Sequence, residues 1–273
     1  MGYSNEPCRL IGEVYNEKIQ LKRYQQANDK NGIHYLYLNK CILHYLFQEY
    51  APAVENAEIA EQHLDGVISM LEVAIFHFYD SLARLAMYPS LPKSSLEAVL
   101  NKVSANQQKM NLWAKHAPMN FQHKYDLVEA ERSRVLGKDG DAREFYDKAI
   151  ELAHENEYIN EEALAYELAG QFYLAKGQTK FAQVCLRDAH YAYQQWGALA
   201  KVKDLEAKYP QLLTTAKILR SDVTTTGTVI STNATWLQTS TVLDLDSVTK
   251  AFFTTQKLLK EIRFFSKIGF LAS

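Results

Sequence analysis

Residues 111–131, NLWAKHAPMNFQHKYDLVEAE, set His116, His123, Asp126, Glu129 and Glu131 around one proline. Residues of these types do acid–base work, or hold a metal ion when three or four of them converge. His116 and His123 stand seven residues apart and would share one face of an unbroken helix. Pro118 lies between them. It lacks an N–H and drives the residue before it out of the helical region, so the two histidines are expected on different helices. His116 then belongs to a last turn, where a charged imidazole favours the negative end of the dipole, and His123 to a first turn. His123 and Asp126, at i and i+3, are expected to bond each other on the solvent face. There is no H-x3-H, no H-E-x-x-H and no cysteine pair. The stretch therefore reads as a helix end, a turn and a helix start. A metal-dependent hydrolase using His116, His123 and Glu129 is a minor alternative.

Other chemistry is equally sparse. His154-Glu155 has the first two residues of a phosphoacceptor histidine box, but no Arg-Thr-Pro follows. Lys138-Asp139-Gly140-Asp141 has acidic turn residues without the twelve-residue ligand pattern of a calcium loop. The chain has no G-x-x-x-x-G-K-[ST], no Gly-rich kinase loop with H-R-D and D-F-G, and no G-x-S-x-G. No catalytic, cofactor-binding or metal residue is assigned, and no cofactor is expected.

The elements that would position such residues are helical. Ser94 and Glu97 have capping-box spacing ahead of the apolar series Leu96, Val99, Leu100, Val103, Met110 and Trp113. Asn120 is placed to cap the next helix, which Gly137 and Gly140 end. Asp141 with Glu144, then Asn160, then Thr179 are placed to open three more. A small-residue pattern recurs at Ala53, Ala57 and Ala60, at Ala142, Tyr146 and Ala149, and at Ala182, Leu186 and Ala189. The last two copies are 40 residues apart, longer than the tetratricopeptide period of about 34, but the small side chains allow the same close pairing of helices as in those repeats. The expected fold class is all-α, a tetratricopeptide-like stack of antiparallel helical hairpins over 1–213. A threonine-rich linker over 214–241 and a short C-terminal helix within 242–273 are expected to follow.

Composition bounds the function. A formal charge of −2, with basic residues scattered among acidic ones, excludes electrostatic capture of nucleic acid or an anionic membrane. The most apolar stretch, 67–88, carries Glu72, His77, Asp80 and Arg84 and reads as a buried helix, not a membrane span. Three widely separated cysteines and the lack of a basic-then-apolar N-terminus point to a cytoplasmic chain.

Residues 6–213 are similar to one region of bacterial multi-sensor signal transduction multi-kinases. The likeness is carried by NEPCRLIGEVYNE (5–17), HYLYLNKCILHYLFQEY (34–50), FYDSLARLAMYP (78–89), residues 105–137, NEEALAYELAGQFYLAKG (160–177) and WGALAKVKDLEAKYPQLL (196–213). TVLDLDSVTKA (241–251) is similar to the lead-in to the GAF domain of these kinases. The resemblance implies a serine/threonine kinase and an AAA ATPase module before this region, and a GAF sensor and histidine kinase after it. It implies an internal, truncated piece: a non-catalytic helical scaffold whose partners are proteins or neighbouring modules of the kinase. The kinase, nucleotide-binding and phosphoacceptor residues of the family have no positions here. An active ATP-dependent kinase assembled with separately encoded domains is the alternative.

Overall fold

Proline and glycine set the helix ends, and alanine sets how closely the helices approach. The computed structural model describes residues 7–12, 15–67 and 71–213. Ten α-helices follow one another among them: α1 (Glu17–Gln26), α2 (Lys30–Leu46), α3 (Tyr50–Glu61), α4 (Leu71–Met87), α5 (Lys93–His116), α6 (Pro118–Val135), α7 (Asp139–Glu155), α8 (Ile159–Ala175), α9 (Thr179–Trp196) and α10 (Leu199–Lys208). No strand forms among the described residues, where a single bridge pairs Ile11 with Asn16. The chain is all-α, as its patterning predicts. These helices belong to the first of two units into which the chain divides, Met1–Ile218. The expected linker and C-terminal helix lie outside the described residues.

Six joints share one backbone device. Asn28, Gln48, Gly137, Glu157, Gly177 and Gly197 take positive φ, between 50° and 84°. In each joint the next amide reaches back five residues: Asp29 to Tyr24, Glu49 to His44, Lys138 to Ser133, Tyr158 to Ala153, Gln178 to Tyr173 and Ala198 to Tyr193, at 2.8–3.0 Å. This closure satisfies carbonyls that the helix end leaves without partners. The last four left-handed residues, 137, 157, 177 and 197, recur every 20 residues, so one hairpin occupies 40.

The same device corrects the expected caps. No side chain caps α5, α6, α7 or α8, which start at Lys93, Pro118, Asp139 and Ile159, ahead of Ser94, Asn120, Asp141 and Asn160. The closed turn, or a proline at the helix entry, already delivers the chain in register, and Gly140 falls inside the first turn of α7. Among the described helix starts, only those of α1 and α2 have side-chain caps, from Asn16 and Asp29.

Glu157 occupies a left-handed position that glycine fills at 137 and 177, where an added Cβ would meet nothing within 4 Å. The cost of a side chain there is therefore backbone strain alone. Gly137→Ala is expected to destabilise by about 1 kcal/mol and Glu157→Gly to stabilise by about the same amount. Urea denaturation measures both, and shifts of the same sign would contradict a shared turn.

Consecutive helices pack against each other, and these short joints make six of the nine described pairs antiparallel neighbours. The even helices also meet in series, α2 on α4, α4 on α6 and α6 on α8, and so form an inner row. The odd helices α3, α5, α7 and α9 each bury one stripe against that row. The stripe is the small-residue pattern: Ala53, Ala57, Ala60, Ala142, Tyr146, Ala149, Ala182, Leu186 and Ala189 are all almost wholly buried. In α5 the same spacing is filled by Val99, Val103 and Asn106, also buried. Between α8 and α9 the approach is close, since a Cβ on Gly170 would lie 2.7 Å from Leu186 Cγ. Ala149→Leu and Ala189→Leu are each expected to overpack and cost roughly 1–3 kcal/mol. Unchanged melting temperatures for both would sink this register.

Candidate functional site

The stretch 111–131 supplies the end of α5 and most of α6. His116 is exposed in the last turn of α5, as expected. His123 lies five residues beyond the start of α6 and is buried, so neither its first-turn nor its solvent-face placement holds. Asp126 is also buried and accepts from Gln122 at 3.0 Å, not from His123. Glu129 accepts from Gln107 at 2.9 Å. His116, His123 and Glu129 form no ligand group among the described residues. The two histidines face opposite environments because the helix begins at Pro118 and turns residue 123 toward α8.

There His123 donates from Nε2 to the Glu161 carboxylate, which Lys124 Nζ also contacts at 2.7 Å. Lys124 Nζ donates to the Asn120 carbonyl at 3.0 Å and lies 4.1 Å from the centre of the Tyr158 ring. The Tyr158 hydroxyl donates to Asn120 Oδ1 at 2.9 Å, which is the role Asn120 fills instead of capping. Burial pushes the Glu161 carboxyl up, but the Lys124 and His123 charges and hydrogen bonds outweigh it and hold it at about 2. Burial pulls the Lys124 ammonium down despite the carboxylate beside it.

Similar polar ties join the other inner helices to their neighbours. Between α4 and α5, Asn106 Oδ1 accepts from His77 Nδ1 at 2.8 Å, and its amide donates to Asp80 at 2.8 Å and Ser81 at 3.1 Å. Arg84 completes the set on Asp80 at 2.7 Å. Burial first, then the Lys109 ammonium, lowers His77 to about 4, so it stays neutral at physiological pH. Between α6 and α7, Glu131 accepts from the Tyr146 hydroxyl and from Arg134 at 2.6 Å. Where α8, α9 and α10 meet, Glu167 takes Lys201 at 2.8 Å and the Tyr193 hydroxyl at 2.8 Å. Lys201 also donates to the Leu46 carbonyl at the end of α2, at 2.5 Å.

These titratable groups are spent on each other across helix contacts. A cleft of about 280 Å³ between α3, α4 and α5 is lined largely by Val54, Met87, Leu91 and Val99, and its charged residues Arg84 and Glu58 approach each other at 3.6 Å. The arrangement is suited to fixing helix register. Sequence reasoning missed Lys124, Glu161, Glu167 and Lys201. Glu161 and Glu167 stand on the otherwise largely apolar α8, which was the available signal, whereas α6 and α10 are charged along their length and mark neither lysine. No helix among the described residues is long and apolar enough to cross a membrane.

Comparison with known proteins gives a narrow result. No family model matches the chain, and no solved structure matches it. A stretch of 62 residues, 23% of the chain, is 39% identical to hybrid signal transduction histidine kinase G of Dictyostelium discoideum. The chain spans about 2% of the length of that curated relative. The relative is not bacterial, so the likeness shown is to a signal transduction histidine kinase in general.

Proposed function

We propose that the chain is a non-catalytic, tetratricopeptide-like scaffold region of a signal transduction kinase, holding protein partners or neighbouring modules in place. The observation that carries this reading is the run of hairpins whose ionisable groups are consumed in ties between helices. The short identity with a histidine kinase supports the signalling context. An AAA ATPase module on one side and a GAF sensor on the other are the partners the resemblance suggests. The full chain, immobilised and offered recombinant ATPase and GAF modules of a related multi-kinase, is expected to retain at least one of them. Calorimetric titration with ATP is expected to show no heat of binding. ATP binding at micromolar affinity, or failure to retain either module, would overturn the reading.

A further inference from the structure

The N-terminal segment 7–12 lies outside the helices, yet its Cys8 is buried. Cys8, His44 and Glu49, distant in sequence, converge so that a thiol, an imidazole nitrogen and a carboxylate oxygen all lie within 4.8 Å of one another. Glu49 Oε2 stands 2.6 Å from His44 Nδ1, and the Cys8 sulfur lies within 4.8 Å of a donor atom of each. Two of the three residues are fixed by one closed turn. His44 sits in the last turn of α2, Gln48 takes φ 66°, and the Glu49 amide donates to the His44 carbonyl at 2.8 Å. Exposure grades across the group: Cys8 is buried, the His44 side chain is 15% exposed and that of Glu49 is 51% exposed. The group is therefore anchored on the protein side and open to solvent on the other.

We propose that Cys8, His44 and Glu49 bind a zinc ion that clamps the N-terminal segment to the α2–α3 joint. One thiolate, one imidazole and one carboxylate form a borderline-soft donor set, and three protein ligands with one water complete a tetrahedral zinc site. On binding, the Cys8 S–H bond breaks, its proton leaves to solvent, and the sulfur pair forms the bond to zinc. The thiolate and the carboxylate together balance the two positive charges of the ion. The His44–Glu49 hydrogen bond opens, and Glu49 turns a carboxylate oxygen to the metal. His44 binds as the neutral ring through a nitrogen without a proton, any proton it carried there leaving to solvent or to the other ring nitrogen. The water falls on the exposed Glu49 side, which is also the path of entry. This site goes beyond the scaffold reading and does not depend on it.

The full chain, stripped with a chelator, is titrated with zinc and separately with cobalt(II) as a spectroscopic probe. One equivalent of zinc is expected to bind, at least tenfold more weakly in Cys8→Ser, His44→Gln and Glu49→Gln, and with unchanged affinity in Cys185→Ser. The wild type is expected to show a thiolate-to-cobalt charge-transfer band that Cys8→Ser lacks. Absence of zinc binding, or retention of the band in Cys8→Ser, would overturn the proposal. Because Cys8→Ser also removes a buried group, alkylation of the wild type provides an independent reading. Zinc is expected to slow maleimide labelling of Cys8 by at least tenfold, and equal rates with and without zinc would also overturn it.

Discussion

Replacing Glu161 with glutamine is expected to destabilise the protein by about 3–5 kcal/mol, because it leaves the Lys124 ammonium buried without its counter-charge. Lys124 and Glu161 are almost entirely inaccessible to solvent, and the nearest other acceptor for Lys124 is the neutral Asn120 carbonyl. Water cannot take over the role of the carboxylate without opening the α6–α8 contact. Burying two charges is itself costly, so replacing both is expected to be far milder than replacing one. The double variant Lys124→Met with Glu161→Leu should recover most of the loss. Acid titration supplies a second reading with a defined sign. The folded carboxyl, at about 2, lies below its ordinary value of 4.5. The unfolded chain thus binds more protons between these values, and the stabilisation is complete above about pH 4.5. It declines as pH falls toward 2, by about 3 kcal/mol in all, and this part of the acid profile should be missing in Glu161→Gln. Urea denaturation of the three proteins from pH 7 to pH 2 tests both readings. A loss below 1 kcal/mol at pH 7, or superimposable acid profiles, would show that the pair does not hold α6 against α8.

Why this pair escaped sequence reading, while the fold did not, is a matter of range. Helix existence depends on local spacing, and the alanines at 142, 149, 182 and 189 sit at their predicted close contacts. Pro118 separates α5 from α6 as its missing N–H requires. The caps at Ser94 and Asn120 were misplaced because Pro92 and Pro118 set the helix entry. Those at Asp141 and Asn160 were misplaced because a left-handed turn satisfies the preceding helix end through backbone alone. That turn forms at Glu157 and Gln48 as well as at glycines, so residue type does not announce it. In α5 the stripe continues through Val99, Val103 and Asn106, where the small-residue signature is absent and only spacing persists. Which charged residues turn inward is set by α8 and α10, far along the chain. His123 accordingly reads as a solvent-face partner of Asp126 until Glu161 is placed opposite it. Cys8, His44 and Glu49 are likewise beyond local spacing, since their convergence needs the N-terminal segment folded back onto the α2–α3 joint.

Lys201→Met is expected to cost a comparable 3–5 kcal/mol, and its effect should reach the other end of the described helices. Lys201 is buried; its ammonium lies 2.8 Å from Glu167, 3.0 Å from Asp204 and 2.5 Å from the Leu46 carbonyl. Gln48, in the same α2–α3 joint, donates to Glu167 at 3.3 Å. Without the ammonium, the Glu167 carboxylate keeps only neutral donors, the Tyr193 hydroxyl, Gln48 and Gln171. In an open array each unit touches only its neighbours and can unfold by itself. Here the end of α2 and the start of α10 meet through one side chain, which couples the first and last hairpins. Hydrogen exchange should therefore accelerate at the amides of Gln48 and Glu49 as well as within α10. Lys208→Met, which breaks a surface pair with Asp204, is the control and is expected to cost less than about 1 kcal/mol. If exchange in Lys201→Met rises only between residues 196 and 213, the two ends are not coupled, and the helices behave as an open array whose outermost hairpin has simply been loosened.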